Sequence, residues 1–404
     1  MAGASDKARF FQEQSVPELQ EFARKKTFSK EEIASIARKR SDFEHIINAR
    51  GSKPQDYARY AEYETNLESL RRKRVTRLGV KTSNHTGQRR IFFVLDRATK
   101  KFPGDVGLWM QYITFAQKQG SNQKVSQILT SVLRLHPTKP ELWIYAATMR
   151  DADMTEARSY MQRGLRFCGS SEKLWIEYAR LEMIHVSKIA GRRRILGLDG
   201  GKVDKKSRQD AEGDDEDMMT LPAITAENIM SGQRPRGGAE QEALVKLGTS
   251  PALLGAIPMA IFDAAMRHFK EDNELCQQFF DVVAEFHEVP CQKSILSHMM
   301  DTLRTIAPKS PGTLIRWIQQ PVIGTDVKSP EFPALFVDCL DRIKRSFEIL
   351  TTISTPPKTA RPMSILGQQV IAWMLTYQKE DIDADVRKVI RITIRKVESI
   401  SGRL

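Results

Sequence analysis

Residues 108–115 read Leu-Trp-Met-Gln-Tyr-Ile-Thr-Phe, and related segments follow at residues 142–149, Leu-Trp-Ile-Tyr-Ala-Ala-Thr-Met, and at residues 174–182, Leu-Trp-Ile-Glu-Tyr-Ala-Arg-Leu-Glu. Their tryptophans, Trp109, Trp143 and Trp175, stand 34 and 32 residues apart. Apolar side chains spaced three, four or seven residues apart lie on one face of a helix. Each segment is therefore predicted to be an amphipathic helix that buries this face against a neighbour.

A second helix is predicted before each of these segments, and a helix-breaking residue ends it. Pro103, Pro137 and Gly169 each stand six residues before the next tryptophan. Proline lacks a backbone donor and glycine accepts a left-handed helix terminus, so both residues stop a helix. The unit is therefore helix, turn, helix. It cannot bury its apolar face alone, so its copies are expected to stack into an α-solenoid.

The predicted fold is all-α with a disordered, charged linker. Residues 1–85 form an N-terminal helical region with an earlier repeat helix, and residues 86–190 hold the clearest repeats. Residues 191–250 combine charged blocks with glycines, which is typical of a disordered linker. Residues 251–404 carry weaker helical repeats, and their continuity with the N-terminal repeats is left open. The expected repeat core is Tyr57, Tyr60, Trp109, Tyr112, Trp143, Trp175 and Tyr178.

Charge and cysteine content narrow the class of protein. The 404 residues include 63 Lys and Arg against 50 Asp and Glu, a net charge of +13. This excess favours acidic partners such as RNA or acidic protein surfaces, although many basic proteins bind no nucleic acid. The four cysteines form no Cys-x-x-Cys pair, which fits a reducing compartment. No secretory signal or membrane span is evident, so we expect an intracellular protein without membrane contact.

Two segments resemble catalytic or metal-binding motifs, but each lacks residues that the motif requires. Residues 197–203 resemble a phosphate-binding loop, but Leu196 and Val203 replace the required glycine and Ser or Thr. His287 and Cys291 begin like a zinc helix, but Pro290 would break it, and two ligands cannot close a tetrahedral site. We therefore expect no enzyme activity, no cofactor, no metal site and no small-molecule substrate.

A basic segment is the first candidate contact site. Residues 69–95 carry eight positive charges and no acid. On a helix Arg71, Arg74 and Lys81 share one face, where they would follow one phosphate track. A solvated helix end is the alternative interpretation, since cations also suit a helix C-terminus. The candidate RNA or partner contacts are Arg71, Arg72, Lys73, Arg74, Arg77 and Lys81.

Two further basic clusters fit a bipartite nuclear import signal in a flexible segment. A plain solvated linker explains them equally well, because short basic runs are common. The residues of this candidate signal are Arg192, Arg193, Arg194, Lys205, Lys206 and Arg208.

The N-terminal half resembles a known family. The Trp-x-x-Tyr helices, with a preceding helix of the type at residues 94–98, look like half-a-tetratricopeptide (HAT) repeats. The stretches Phe-Ser-Lys-Glu-Glu-Ile at 28–33, Arg-Lys-Arg-Ser-Asp-Phe-Glu at 38–44 and Tyr-Ala-Arg-Tyr-Ala-Glu-Tyr-Glu at 57–64 resemble the U3 small nucleolar RNA-associated protein 6 family. The resemblance extends over roughly residues 10–195. Ala146 and Arg150 depart from the repeat pattern, at positions where Tyr and Glu are expected.

This resemblance implies a scaffold subunit of the small-subunit processome that acts in U3-dependent 18S rRNA maturation in the nucleolus. The implied partners are WD-repeat proteins of the processome B subcomplex, U3 snoRNA and pre-rRNA, with direct RNA contact left open. Two alternatives remain from the residues alone. One is a HAT-repeat scaffold in mRNA splicing or 3′-end processing, and the other is a cytosolic tetratricopeptide-like adaptor.

Overall fold

The computed structural model describes residues 4–79, 86–150, 153–195, 255–287, 289–351, 360–378 and 384–401. Regular structure in these ranges is helical, and none of their residues belongs to a β-strand. Helices pack chiefly against those that precede and follow them along the chain. The prediction of an all-α chain of the α-solenoid type is confirmed. The predicted linker begins inside a helix, and beyond residue 195 it lies outside the described residues.

The first compact unit comprises residues 1–142. The helices that the structure describes in it are α1 (Ala4–Glu13), α2 (Val16–Arg24), α3 (Lys30–Asn48), α4 (Pro54–Leu78), α5 (Thr86–Lys101), α6 (Val106–Lys118) and α7 (Asn122–Leu135). A capping box starts α3: the Ser29 side chain accepts from Glu32 N, and the Glu32 carboxylate accepts from Ser29 N. Gly79, with a φ of 64°, ends α4 in the left-handed conformation that glycine adopts without strain.

The second compact unit comprises residues 143–404. Its described helices are most of α8 (Pro140–Thr148), then α9 (Met154–Phe167), α10 (Glu172–Ile195), α11 (Ala256–His268), α12 (Asn273–Ala284), α13 (Gln292–Ile306), α14 (Pro311–Gln319), α15 (Phe332–Thr351), α16 (Ala360–Gln378) and α17 (Ala384–Ser401). α10 packs against α11 and α12, although residues 196–254 separate them in sequence. Within this unit the helices on both sides of the predicted linker therefore belong to one packed body.

The six-residue interval before the tryptophans has a physical cause. Trp109 Nε1 donates a hydrogen bond to the carbonyl oxygen of Pro103 at 2.9 Å, and Trp175 Nε1 donates to that of Gly169 at 2.9 Å. A buried indole N–H needs an acceptor, and the turn at the end of the preceding helix provides one. The turn residue therefore ends one helix and also anchors the first aromatic residue of the next.

The seven predicted core residues are not all buried alike. Trp109 and Trp143 are 6% and 5% exposed, whereas Trp175 is only half-buried and lies beside His268, with 6.1 Å between ring centroids. The remaining predicted core residues are buried: Tyr57, Tyr60, Tyr112 and Tyr178.

Trp143 packs against a glycine on the next helix. A Cβ atom on Gly164 of α9 would lie 2.9 Å from both Cβ and Cγ of Trp143. The indole also stacks on Phe167, with ring planes 11° apart and centroids 5.9 Å apart. Only glycine allows this close approach of α9 to the Trp143 side chain.

Candidate nucleic-acid interface

A buried ion-pair network joins helices α2, α3, α4 and α5. Arg40 of α3 donates Nε and Nη2 to the two carboxylate oxygens of Glu64 of α4, at 2.7 and 2.8 Å. Its Nη1 donates to Glu18 Oε2 of α2 at 3.0 Å, and Arg90 Nε of α5 reaches the same oxygen at 2.9 Å. The network therefore fixes four helices through two carboxylates and two guanidinium groups.

Attraction between partners outweighs burial at Glu18 and Arg40, whereas burial raises the pKa of Glu64. Burial opposes ionisation of Glu18, but attraction to Arg40 and Arg90 outweighs it and holds the pKa of Glu18 below its ordinary value. Burial likewise opposes the charged form of Arg40, and attraction to Glu64 and Glu18 outweighs it and raises the pKa of Arg40. Removing one member would leave an uncompensated buried charge on its partner.

The same pairing recurs in the second unit. Arg158 of α9 donates to both carboxylate oxygens of Glu182 of α10, at 2.6 and 2.7 Å. The two partners stand 24 residues apart, as Arg40 and Glu64 do. Glu64 and Glu182 occupy the same position in their repeats, seven residues after Tyr57 and Trp175.

One repeat of the first unit replaces this ion pair with apolar contacts. Seven residues after Trp109 stands Ala116, and 24 residues before Ala116 stands Phe92. The Phe92 ring contacts the rings of Phe115 and Tyr112, with centroids 4.9 and 6.1 Å away. This position of the repeat therefore accepts either a paired charge or an aromatic ring, and both fill the space between the two helices.

Three arginines of the predicted contact segment are already engaged within the protein. Arg71 is 5% exposed and pairs with Glu68 through Nε at 2.7 Å and Nη2 at 2.8 Å. Arg72 Nε also donates to Glu68, at 2.8 Å. Arg74 donates to both carboxylate oxygens of Glu32, at 2.7 and 2.8 Å. The face that would carry Arg71 and Arg74 along a phosphate track is turned towards neighbouring helices.

The remaining members of the segment differ from these three. Lys73 and Arg77 are exposed on the outer side of α4, and Lys81 lies outside the described residues. Arg72 keeps 43% of its side chain exposed despite its ion pair. Among the residues that the structure describes, the contact site that the sequence proposed therefore narrows to Lys73 and Arg77, with Arg72 at its edge.

The part of the chain that contains the ion-pair network is similar to proteins of a known family. The family model for U3 small nucleolar RNA-associated protein 6 matches residues 12–94, which include the network between α2 and α5. U3 small nucleolar RNA-associated protein 6 of Schizosaccharomyces pombe is 35% identical over 232 residues, 56% of this chain and 46% of the relative. The matched part of the chain is similar to the U3 small nucleolar RNA-associated protein 6 family.

Two further relatives carry the same family name. The human homolog is 35% identical over 184 residues, 44% of this chain and 31% of its own length. The Dictyostelium discoideum homolog is 24% identical over 291 residues, 70% of this chain and 46% of its own length. The chain spans less than half the length of each of these curated members of the U3 small nucleolar RNA-associated protein 6 family.

The structure describes only part of the candidate import signal. Arg192, Arg193 and Arg194 form the last turn of α10, where cations also complement the helix dipole. Arg192 and Arg194 are exposed and Arg193 is half-buried. The other predicted members of the signal lie outside the described residues: Lys205, Lys206 and Arg208.

One basic surface was not selected from the sequence. Residues 387–396 of α17 contain five cations and no acid. Their apolar side chains Ile390 and Ile394 are buried, while the cationic residues Lys388, Arg391, Arg395 and Lys396 are exposed. The signal was present as a run of Arg and Lys at helical spacing, but the sequence pattern was interpreted only as a terminal helix.

The described residues were also compared with the requirements for a membrane-spanning helix and for a metal site. Across the described residues, no helix combines the length and apolar character needed to cross a membrane. No group of three or more His, Cys, Asp or Glu side chains in those same ranges is arranged to hold a metal ion.

Proposed function

We propose that this protein is a scaffold subunit of the small-subunit processome, acting in U3-dependent 18S rRNA maturation and assembly of the small ribosomal subunit. The observation that carries the proposal is the family match over residues 12–94, supported by relatives named for association with U3 small nucleolar RNA. Because the chain covers less than half of each relative, the activity of the whole protein remains a proposal.

The proposed mechanism is non-enzymatic. Stacked helical repeats present long surfaces at fixed spacing, which suits a protein that holds several partners in one particle. The buried Arg40–Glu64 pair and the partly buried Arg158–Glu182 pair keep neighbouring helices in register. The proposed partners are WD-repeat proteins of the processome B subcomplex together with U3 snoRNA and pre-rRNA, and the proposed location is the nucleus and nucleolus.

A cleft in the first unit offers one surface for a protein partner. It encloses about 360 Å³ among α5, α6 and α7, and Trp109 and Tyr112 line it. Lys100 and Lys124 also line the cleft, and Lys100 pairs there with Asp96 at 2.7 Å. An extended segment of a partner would fit a groove of this kind, with an acidic residue beside Lys124.

Affinity purification of the tagged full-length chain, followed by mass spectrometry and RNA sequencing, tests the proposal. We expect WD-repeat processome subunits, U3 snoRNA and precursor 18S rRNA to be recovered. Glu64→Ala, which disrupts the network, should reduce this recovery, whereas the exposed neighbour Glu62→Ala should not. Recovery of none of these partners by the unaltered chain would contradict the proposal.

Depletion of the protein separates this role from messenger RNA processing. Accumulation of 18S precursors is the expected result. Accumulation of unspliced or uncleaved messages with normal 18S rRNA would instead assign the scaffold to splicing or 3′-end processing.

A further inference from the structure

Two arginines from neighbouring helices stack against one tryptophan in the second unit. The Cζ atoms of Arg304 of α13 and Arg342 of α15 each lie 5.3 Å from the ring centroid of Trp317 of α14. Arg342 is fixed further by Nη1, which donates to the carbonyl oxygen of Trp317 at 2.7 Å and to Gln320 Oε1 at 3.1 Å. Cation–π contact and these hydrogen bonds hold the guanidinium group in a defined place.

A third arginine adds to this concentration of positive charge. Burial is the main reason that the pKa of Arg342 lies below its ordinary value, and the nearby charges of Arg304 and Arg345 lower it further. Asp338 partly offsets the effect from four residues earlier on α15. Asp341 is engaged with Lys344 at 3.1 Å. The cluster of Arg304, Arg342 and Arg345 is therefore only weakly neutralised.

The half-buried Arg342 differs from other arginines of low exposure in having no carboxylate partner among the described residues. Arg40 and Arg97 each make a close ion pair with a glutamate, and Arg316 pairs with Asp281. Arg304, Arg342 and Arg345 make no ion pair with any carboxylate in the described ranges. Like charges held together without a counter-ion destabilise a folded protein. An external anion would remove that repulsion.

We propose that Arg304 and Arg342, which contact Trp317, form with Arg345 of α15 a binding site for the phosphate backbone of single-stranded RNA. Guanidinium groups match phosphate oxygens through paired hydrogen bonds. Guanidinium planes also stack on unpaired bases, a contact that an acidic peptide does not offer. The combination therefore favours RNA over an acidic protein surface. This site lies outside residues 12–94 and does not depend on the proposed processome role.

Charge reversal at the two exposed members tests the site. The cluster variant is Arg304→Glu with Arg345→Glu, and the control is Arg163→Glu with Arg166→Glu, two exposed arginines on α9 of the same unit. Both pairs change the net charge equally, so long-range attraction to RNA falls by the same amount. Binding of the full chain to labelled single-stranded polyuridine is measured by fluorescence anisotropy over a series of salt concentrations.

The cluster variant should bind about tenfold more weakly than the unaltered chain, and its salt dependence should fall by about 1.4 logarithmic units per decade of salt, since each phosphate contact on a single strand contributes about 0.7. In the control variant, the salt dependence of binding should fall by less than half of this amount. Equal losses in both variants, or no loss in the cluster variant, would overturn the proposal. Circular dichroism melts establish that each variant is folded.

Substitution of the tryptophan provides a second measurement. Trp317→Phe keeps an aromatic ring beside the arginines and should retain most of the affinity, whereas Trp317→Ala should weaken binding. The same variants are titrated with polyaspartate. If the cluster variant loses affinity for polyaspartate but keeps its affinity for polyuridine, the site binds acidic protein and the RNA proposal is wrong.

Discussion

Arg40 and Glu64 face each other across α3 and α4 through two parallel hydrogen bonds, with both side chains 2% exposed. The second unit repeats this relationship between Arg158 and Glu182 at the same sequence separation. A bidentate pair fixes direction as well as distance, because the guanidinium fork meets the carboxylate in one orientation. Such a pair therefore specifies how the two helices of a repeat meet.

Glu64→Ala should destabilise the first unit by about 3–5 kcal/mol, because it leaves Arg40 buried without its main partner. Urea unfolding followed by circular dichroism measures the loss. The double variant Arg40→Met with Glu64→Leu should recover most of it, since apolar side chains of similar volume tolerate burial. Glu62→Ala, at an exposed site on α4, serves as the control. A loss no larger than that of the control would contradict this role for the pair.

Gly164→Ala should destabilise the second unit by about 1–3 kcal/mol, because the added methyl group overlaps the rigid start of the Trp143 side chain. The matched control is Gly191→Ala on α10, where an added Cβ meets no atom within 4 Å. The control should be more stable by about 0.5–1 kcal/mol, since alanine loses less entropy in a helix. If both substitutions stabilise the unit in thermal melts, the close contact is not rigid.

Trp109→Ala should cost about 3–5 kcal/mol, since it empties a buried site and removes the hydrogen bond to Pro103. Trp175→Ala should cost less, because the Trp175 side chain is only half-buried. Denaturant unfolding of the two variants measures the difference. The reverse order would show that burial does not determine the contribution of these tryptophans.

The lowered pKa of Glu32 predicts a loss of stability in acid. The hydrogen bonds that Arg74 and the Ser29 backbone donate lower the pKa of Glu32 from 4.5 to about 2. The stabilisation from a depressed carboxyl pKa is present above pH 4.5 and is lost as the pH falls through about 2. The side chain is 42% exposed, so solvent screening limits this contribution to less than about 1 kcal/mol.

Glu32→Gln isolates that contribution, because glutamine can still accept from Ser29 in the capping box. Between pH 5 and pH 2 the free energy of unfolding should fall less steeply in the variant than in the unaltered protein. Urea titrations at several pH values measure both slopes. Identical slopes would mean that Glu32 has an ordinary pKa in the folded protein.

Substitutions at exposed and buried positions of the basic segment of α4 should have different effects on RNA binding and on stability. Lys73→Glu with Arg77→Glu changes exposed side chains and should weaken RNA binding and its salt dependence without lowering the melting temperature. Arg71→Glu should destabilise the fold instead, because it places two carboxylates together at a buried position. Unchanged RNA crosslinking to the intact particle in the Lys73 and Arg77 variant would assign this surface to solvent or protein.

Much of the helical architecture followed from local patterns. The spacing of apolar residues and the positions of Pro103, Pro137 and Gly169 predicted the turns between helices, and the observed helices end within two residues of each. Local patterns suffice here because helix periodicity and helix termination depend on neighbouring residues.

The candidate contact site could be predicted only in part. Sequence composition marked the basic segment but did not distinguish Arg71 and Arg74, which pair with Glu68 and Glu32, from the exposed Lys73 and Arg77. Arg74 and Glu32 stand 42 residues apart, and only the packing of the helices brings them together. The cluster around Trp317 escaped notice for the same reason, since Arg304 and Arg342 come from separate helices.

The sequence by itself determined that this chain is helical, that its helices come in repeated pairs, and that it carries an excess of positive charge. These properties reside in residue order and composition, which periodicity and counting reveal directly. Only the tertiary structure decided which cations remain available to a partner. A guanidinium group loses that availability when a distant carboxylate folds against it, and this depends on contacts that no local pattern records.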